Sequence, residues 1–263
     1  MRIVTFLAPV LFVAMVTSVA AQTTPSMCQA TGSPEYFDDL SGMWSPCAVA
    51  PGKLVAEATY LQNASAVGGT ALAAYPLVTL RTGIARDVSF IFNSPSQIAE
   101  SGLGGAGLYP RTHLGYGLSY SAVQNAGIAI AVVGEILPPV GRFAANSAQS
   151  RYLLGATSDY ALGRKLDVGF FGTVTSSGTS GLERVFPSGA FKAAYNVTPV
   201  MQFTTDLGMR AMAKRAVAQS FGDLGIKETF RKTFALQLGA GTTFNPVTNN
   251  KAHYLASGLS YAL

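Results

Sequence analysis

The sequence predicts an all-β protein, an antiparallel transmembrane β-barrel of twelve strands with ten as the alternative, and three observations predict it. Charged residues make up only 12% of the 263 residues, about half the share found in an average soluble domain. From residue 53 onward, apolar residues alternate with small or polar ones, which is the period of strands with two different faces. The connections between these windows alternate between short and long, as in outer-membrane barrels.

The composition excludes other classes of protein. Disordered chains pair low hydrophobicity with high net charge, whereas this chain is 49% apolar. A bundle of membrane-spanning helices needs runs of about 18 apolar residues, and none follows the first twenty or so positions. The formal net charge is +5, but no aromatic residues interleave with basic ones, so nucleic acid is not an expected partner.

The N-terminus is typical of a secretory signal peptide over residues 1–21. Arg2 precedes an apolar stretch, and small residues at 19–21 precede a cleavage site ahead of Gln22. An uncleaved anchor helix is the alternative, although the apolar stretch is short for one. We therefore expect export to the outer membrane of a Gram-negative-type envelope. The mature chain then divides into a periplasmic N-terminal segment, 22–52, and an outer-membrane barrel, 53–263.

Two cysteines, Cys28 and Cys47, lie in that N-terminal segment, and the chain has no others. An even number of cysteines in an exported chain indicates a disulfide. Metal binding is the weaker alternative because no neighbouring Cys or His completes a tetrahedral set.

The alternation predicts the strands in order along the chain. It is clear in 165–175, where Leu, Val and Phe occupy most even positions, and sharper in 200–210, where Met, Phe and Leu occupy most odd ones. Windows of roughly 9 to 13 residues suit tilted strands that cross a bilayer. The predicted strands are 53–63, 73–85, 87–93, 111–121, 126–137, 151–160, 165–175, 189–197, 200–210, 229–244 and 252–263.

Tight connections are predicted at 86–87, 123–125, 163–164 and 198–199. Longer linkers are predicted at 63–73, 94–110, 138–149, 176–188 and 212–228. These windows are odd in number, whereas bacterial single-chain barrels have even strand numbers. The stretch 212–227 is the place where a further strand or a short loop helix is most plausible, which is why we predict twelve strands.

The last strand carries Leu255, Leu259, Tyr261 and Leu263 on one face. This pattern resembles the terminal signal by which the barrel-assembly machinery recognises outer-membrane proteins. The plainer interpretation is a closing strand, and the two interpretations are compatible.

Four fragments resemble a family of outer-membrane transporters grouped as "MetA-pathway of phenol degradation". Residues 51–60 (PGKLVAEATY) are similar to its first strand, and 80–87 (LRTGIARD) to its Arg-bearing second strand and turn. Residues 137–141 (LPPVG) and 258–261 (GLSY) are similar to a loop entry and the closing strand. The resemblance implies a channel or transporter for small compounds, aromatic or apolar ones among them.

The predicted inward face carries most of the strand charges. A Lys or Arg on the lipid face costs about 2–4 kcal/mol at the membrane midplane, so charged strand residues should line the lumen. They fit either a pore lining that selects solutes or a salt-bridge network that fills and stiffens a narrow barrel. The predicted lumen-lining residues are Glu57, Arg81, Glu135, Arg151, Asp159, Asp167, Lys192, Asp206, Arg210 and Arg231.

The sequence gives little support for catalysis or for cofactor or metal binding. We predict no enzyme, cofactor or metal site. The glycines of 102–107 have the spacing of a dinucleotide motif but lack the strand–helix context that it needs. His113 shares a strand face with Ser119 and Ser121, which leaves a barrel-embedded lipid hydrolase as a third hypothesis. The leading hypothesis is a passive channel for small solutes, followed by a structural or surface-interaction barrel with a closed lumen. Lys214 and Arg215 are candidates for contact with lipopolysaccharide.

Overall fold

The computed structural model describes the following residues: 28, 37–38, 44–65, 71–94, 97–101, 107–110, 114–138, 150–179, 182–212, 217–230, 233–245 and 250–263. The predicted signal peptide, 1–21, lies outside these residues. In the described part of the chain, no helix is long and apolar enough to cross a membrane. Its regular structure consists of strands.

Fourteen strand segments form one sheet in which every neighbouring pair is antiparallel. The segments are β1 (Leu54–Ser65), β2 (Ala71–Ala85), β3 (Val88–Asn93), β4 (Gln97–Ser101), β5 (Gly107–Pro110), β6 (Gly115–Gln124), β7 (Ile128–Leu137), β8 (Arg151–Leu162), β9 (Leu166–Thr179), β10 (Leu182–Thr198), β11 (Met201–Met212), β12 (Val217–Phe230), β13 (Phe234–Asn245) and β14 (Asn250–Ala262).

The sheet closes on itself because β1 pairs with both β2 and β14. Two positions in the wall are each filled by two segments. The segments β3 and β4 pair with successive parts of β2, while β6 pairs with β3 and β5 with β4. The result is a closed antiparallel barrel of twelve strands, which confirms the predicted fold class and strand number.

The strand that the alternation failed to reveal is β12, which lies where a hidden strand was suspected. Its inward face carries Phe221, which is buried and lies over Gly208 of β11, while its outward face includes Ser220 and Gly222. This mixture blurs the apolar–polar alternation. The predicted window 229–244 is wrong at its start, because 229–230 end β12 and β13 begins at Phe234.

Besides 212–228, which contains most of β12, two further predicted long linkers are wrong. Most of 176–188 is strand, because β9 runs to Thr179 and β10 starts at Leu182, and 94–110 contains β4 and β5. A strand that extends past the lipid needs no apolar face, so small polar residues such as Ser176 continue it without a hydropathy signal.

The tight turns lie at one end of the barrel. The start of β1 and the end of β14 lie at the same end. Leu54 at the start of β1 exchanges backbone hydrogen bonds with Leu263, and its register partner in β2 is Thr82, close to the β2–β3 turn. Gly163, in the β8–β9 turn, has a positive φ of 89° that favours glycine. We call this the turn end of the barrel.

The two faces of the wall differ sharply. In β11, Leu207 is 61% exposed on the outside and Asp206 is 2% exposed on the inside. The same contrast holds for Phe170 and Asp167 of β9. The outside is therefore an apolar surface suited to lipid, and the inside is polar.

Candidate functional site

The lumen holds part of the N-terminal segment in addition to the strand side chains. We call Cys28, residues 37–38 and residues 44–50 the inner segment. It contacts inward-facing residues of β1, β2, β3, β6, β8, β12 and β13, which lie around the barrel. A segment that reaches so many parts of a closed wall lies inside it. The sequence predicted a periplasmic segment at 22–52 and carried no sign of this entry into the barrel.

Arg81 of β2 joins the inner segment to the wall. Its guanidinium lies 3.4 Å from the Glu57 carboxylate of β1 and 3.6 Å from the Asp38 carboxylate of the inner segment. It also donates a hydrogen bond to the Cys47 carbonyl at 3.5 Å. The backbone N–H of Asp38 donates to Glu57 at 2.8 Å. The Arg81 side chain of the wall therefore contacts both the 37–38 stretch and the 44–50 stretch of the inner segment.

Three wall hydroxyls bind the backbone of the 44–50 stretch. Ser121 donates to the Pro46 carbonyl at 2.8 Å and Thr157 to the Trp44 carbonyl at 2.9 Å. The Ser89 hydroxyl accepts a hydrogen bond from the backbone N–H of Val49 at 2.9 Å. Because these wall residues lie on separate strands, they fix the path of the segment across the lumen.

The 37–38 stretch is held on the opposite wall. Lys227 donates to the Phe37 carbonyl at 3.1 Å, and Gln237 donates to the Asp38 carbonyl at 2.7 Å. Lys227 is only 2% exposed, and it was assigned to a loop by the sequence prediction. A buried ammonium needs a polar partner, and the inner segment supplies one.

The inner segment also forms a small apolar core at the turn end of the lumen. The Cys28–Cys47 disulfide is present, as the cysteine pattern predicted. Cys47, Phe37 and Val49 pack with inward-facing small residues of the wall, namely Val55, Ala129 and Ala235. Trp44 packs edge-on against Phe171 of β9, with ring centroids 5.1 Å apart. These contacts stabilise the docked segment by burial as well as by hydrogen bonds.

A second polar network lies on the wall away from Arg81. Lys192 of β10 forms an ion pair with Asp159 of β8 at 3.0 Å. Asn196 donates to the Asp167 carboxylate and accepts from Gln202 at 3.0 Å. These bonds cross between strands and stiffen the wall.

The predicted lumen-lining residues are placed as follows. Arg151 has the inward parity of β8 but lies at its first position and is exposed. Arg210 lies in β11, but its side chain is outside the described residues, as is all of Arg231. Buried on the inward face are Glu57, Arg81, Glu135, Asp159, Asp167, Lys192 and Asp206.

The described charges inside the barrel are mostly acidic, although the whole chain has a net charge of +5. The buried basic side chains are Arg81, Lys192 and Lys227, and Arg151 is exposed on the inward side of β8. The acidic side chains are Asp38, Glu57, Glu135, Asp159, Asp167, Asp206 and Asp223.

The described residues cover only part of the hydrolase hypothesis, which stays untested. Ser121 uses its hydroxyl to bind the inner segment, and Ser119 is buried on the lumen side. His113 lies outside the described residues, and His253 is exposed on β14. Within the described ranges, no three His, Cys, Asp or Glu side chains could hold a metal ion.

Sequence reasoning missed the hydroxyl and amide residues that hold the inner segment. Ser89, Thr157 and Gln237 have the inward parity of their strands, and this was the available signal. Such residues are also common on lumen faces that bind nothing, so parity did not distinguish them.

The fold defines the class of protein: a closed, twelve-stranded, antiparallel, porin-like transmembrane β-barrel. Two solved structures share this architecture. An outer membrane channel from Pseudomonas putida F1 matches with a TM-score of 0.62 and 14% identity, over 82% of this chain and 97% of that chain. The NanC porin matches with a TM-score of 0.51 and 8% identity, over 78% of this chain and 98% of that chain.

At these identities the likeness shows the fold alone. No protein-family model matches the chain. No curated protein matches it either. The resemblance to the phenol-degradation family is therefore not confirmed.

Proposed function

We propose that this protein is a passive outer-membrane channel for small solutes, with the inner segment docked in the turn end of its lumen. The observation that carries the proposal is the contrast between the two faces of a closed wall, apolar outside and charged inside. A barrel that served only as a scaffold would be stabilised more by an apolar interior, because buried charges are costly to desolvate. A charged interior suits the passage of hydrated solutes.

One observation favours a second candidate, a structural barrel whose lumen stays closed. Inward residues near the turn end are almost inaccessible, with Ser89 at 1%, Gln202 at 0% and Lys227 at 2% exposure. Dense packing at that end narrows any route past the inner segment.

Single-channel recording in planar bilayers separates the two candidates. The full chain is refolded and inserted, and conductance is recorded for the wild type and for Arg81→Met, which weakens docking of the inner segment. We expect discrete conductance in the wild type and a larger one in the variant. Folded barrels that conduct in neither form would contradict the channel proposal and favour the closed barrel.

The finer proposal, that aromatic or apolar compounds pass, rests on the family resemblance. The described inward face is mainly polar, which favours polar solutes. Liposome swelling with matched pairs of sugars and aromatic acids of similar size measures the preference directly.

The remaining assignments are also proposals. Residues 1–21 direct export, and the last strand is recognised by the barrel-assembly machinery. The outer surface contacts lipid, and Lys214 and Arg215 contact lipopolysaccharide. Fractionation of cells that express the full chain, with the mature N-terminus sequenced, tests the outer-membrane location and cleavage before Gln22.

A further inference from the structure

We infer that the part of the lumen away from the turn end contains a binding subsite for a cyclic carboxylate that carries ring hydroxyls, such as a hexuronate. Arg151 binds the carboxylate of this solute, and Thr175 and Ser188 bind its hydroxyls. The Trp44–Phe171 pair stacks against the apolar face of its ring. The inference rests on the proposed channel function and deepens it by naming the class of solute.

The aromatic pair of the subsite is only half-buried, although it lies inside the barrel. The Trp44 ring of the inner segment packs edge-on against Phe171 of β9, and both side chains keep part of their surface accessible. The wall leaves room for this ring, because a Cβ on Gly155 would lie 2.8 Å from it. Exposed apolar surface is costly to hydrate, and a solute ring that stacks on the pair removes this surface from water.

Two wall hydroxyls lie beside the aromatic pair, further from the turn end. Strand β9 leads away from that end, so Thr173 and Thr175 are the next inward positions after Phe171. Ser188 of β10 is the register partner of Thr173. Thr175 and Ser188 are half-buried, and within the described residues neither hydroxyl forms a hydrogen bond. Each can both donate and accept, so both are available to the hydroxyls of a solute.

Arg151 supplies a positive charge at the same place. It is the first residue of β8 and lies two positions beyond Leu153, the register partner of Thr175. Its side chain is exposed, and it forms no ion pair with the described residues. A guanidinium can hold a carboxylate through two parallel hydrogen bonds.

The strand register around the subsite brings in further basic positions. Ser177 pairs with Arg151 on one side and with Arg184 on the other, and Ser188 pairs with Arg210. The side chains of Arg184 and Arg210 lie outside the described residues, so the argument for them is one of position only. An excess of positive charge at these positions attracts an anionic solute.

The acidic side chains nearest in the register are engaged with other groups. Glu135 is the register partner of Leu153, but its carboxylate accepts a hydrogen bond from Asn93 at 3.0 Å, across β6. Asp159 lies closer to the turn end of β8 and forms an ion pair with Lys192 at 3.0 Å. A carboxylate bound at Arg151 is therefore not placed directly against either acid.

The arrangement of groups matches one sugar ring with an acid group. Inward positions two residues apart on a strand are separated by about 6.6 Å, and neighbouring strands by about 4.8 Å. The aromatic pair, the two hydroxyls and Arg151 follow one another at such steps. Ligand sites typically combine apolar surface with a few polar groups that fix the orientation of the ligand.

The test uses Trp44, the chain's single tryptophan, which lies in the subsite. The refolded full chain in lipid vesicles is titrated with D-glucuronate and with D-glucose while the Trp44 emission is recorded. We expect a saturable change with glucuronate and a Kd on the order of 1–10 mM. Glucose lacks the carboxylate and should bind about tenfold more weakly. Competition with glucuronate measures the affinity for benzoate.

Variants assign the contribution of each group. Arg151→Gln should weaken glucuronate binding about tenfold and leave glucose binding unchanged. Thr175→Val/Ser188→Ala removes both hydroxyls and should weaken binding of both sugars about fivefold or more. Thr175→Ser/Ser188→Thr keeps the hydroxyls and should retain binding. Arg164→Gln is the matched control, because it removes an exposed arginine from the β8–β9 turn at the other end of the barrel.

The outcomes separate this inference from the channel proposal. Absence of a saturable change with glucuronate in the folded wild type, or an unchanged affinity in Arg151→Gln, overturns the subsite and leaves the channel proposal intact. Tighter binding of benzoate than of glucuronate overturns the sugar acid as the solute. Absence of conductance in the folded wild type and in Arg81→Met overturns the channel function, whereas the binding measurement requires no conduction.

Discussion

Replacement of Arg81 by Met should release the inner segment from the lumen in a substantial fraction of molecules while leaving the barrel folded. Arg81 is 3% exposed and contacts the Asp38 and Glu57 carboxylates and the Cys47 carbonyl. Met retains much of the apolar stem and removes the charge. The Asp38 and Glu57 carboxylates then lie close together in the lumen without the arginine between them. Their mutual repulsion opposes docking.

The magnitude follows from the contacts. Removal of one partner from a buried ion pair costs about 3–5 kcal/mol, which corresponds to a shift of more than about a hundredfold in the docking equilibrium. The hydrogen bonds to Ser89, Ser121, Thr157, Lys227 and Gln237 remain, at about 0.5–1.5 kcal/mol each. The summed free energy of these remaining hydrogen bonds is comparable to the free energy lost with the Arg81 ion pairs. We therefore expect a substantial undocked population and not complete release.

The assay uses Trp44, the chain's single tryptophan, which lies in the inner segment against Phe171. Undocking separates the two rings and exposes the indole to water, so emission should shift to the red and acrylamide quenching should rise. Conductance should rise in parallel. Lys192→Met is the matched control, because it removes a buried lumen cation whose ion pair is with Asp159 on the wall.

If Arg81→Met gave the quenching and conductance of the wild type, the ion pairs would not hold the segment. The Asp38→Asn/Glu57→Gln/Arg81→Met triple variant provides a further check, because removal of the whole charge cluster leaves no unbalanced charge. It should dock more fully than Arg81→Met alone.

Three further predictions address the disulfide, the lipid face and the wall network. Reduction of the Cys28–Cys47 disulfide, or replacement of both cysteines by alanine, should weaken docking by about 3 kcal/mol, because a loop of about 20 residues is no longer closed. Acrylamide quenching of Trp44 before and after addition of reductant measures the change in docking. An unchanged quenching signal would contradict this prediction. Leu207→Arg places a charge on the outward face and should destabilise the barrel by about 2–4 kcal/mol, whereas Leu207→Ala should cost less; urea unfolding in lipid vesicles compares them, and equal costs would contradict the assigned orientation. Gly169→Ala should displace the Asp159 carboxylate, and with it the ion pair to Lys192, at a cost of about 1–3 kcal/mol; the same unfolding assay measures this cost, and a stability equal to the wild type would show that the wall tolerates a methyl group there.

The sequence was sufficient for the barrel class, the strand number and the orientation of most strand residues. Alternation is a local property: one residue further along a strand points to the other face, so neighbours such as Asp206 and Leu207 could be assigned without knowledge of the fold. It failed where the local pattern is mixed. Phe221 faces inward because Gly208 across the strand pair leaves room for its ring, and that pairing is not visible in the sequence around Phe221.

The contents of the lumen became known from the folded structure and could not be read from the chain. Gln237 and Asp38 are 199 positions apart in the chain and are joined by a hydrogen bond, and Lys227 lies 190 positions from its partner Phe37. No periodicity or spacing encodes such pairs, because they depend on closure of the sheet and on entry of the inner segment into it. The ion pair of Lys192 with Asp159 likewise depends on strand register. Alternation is local, so the chain alone was enough to assign residues to the lipid face or the lumen face. Barrel closure brings together residues that are distant along the chain, so the contacts among lumen residues follow from closure.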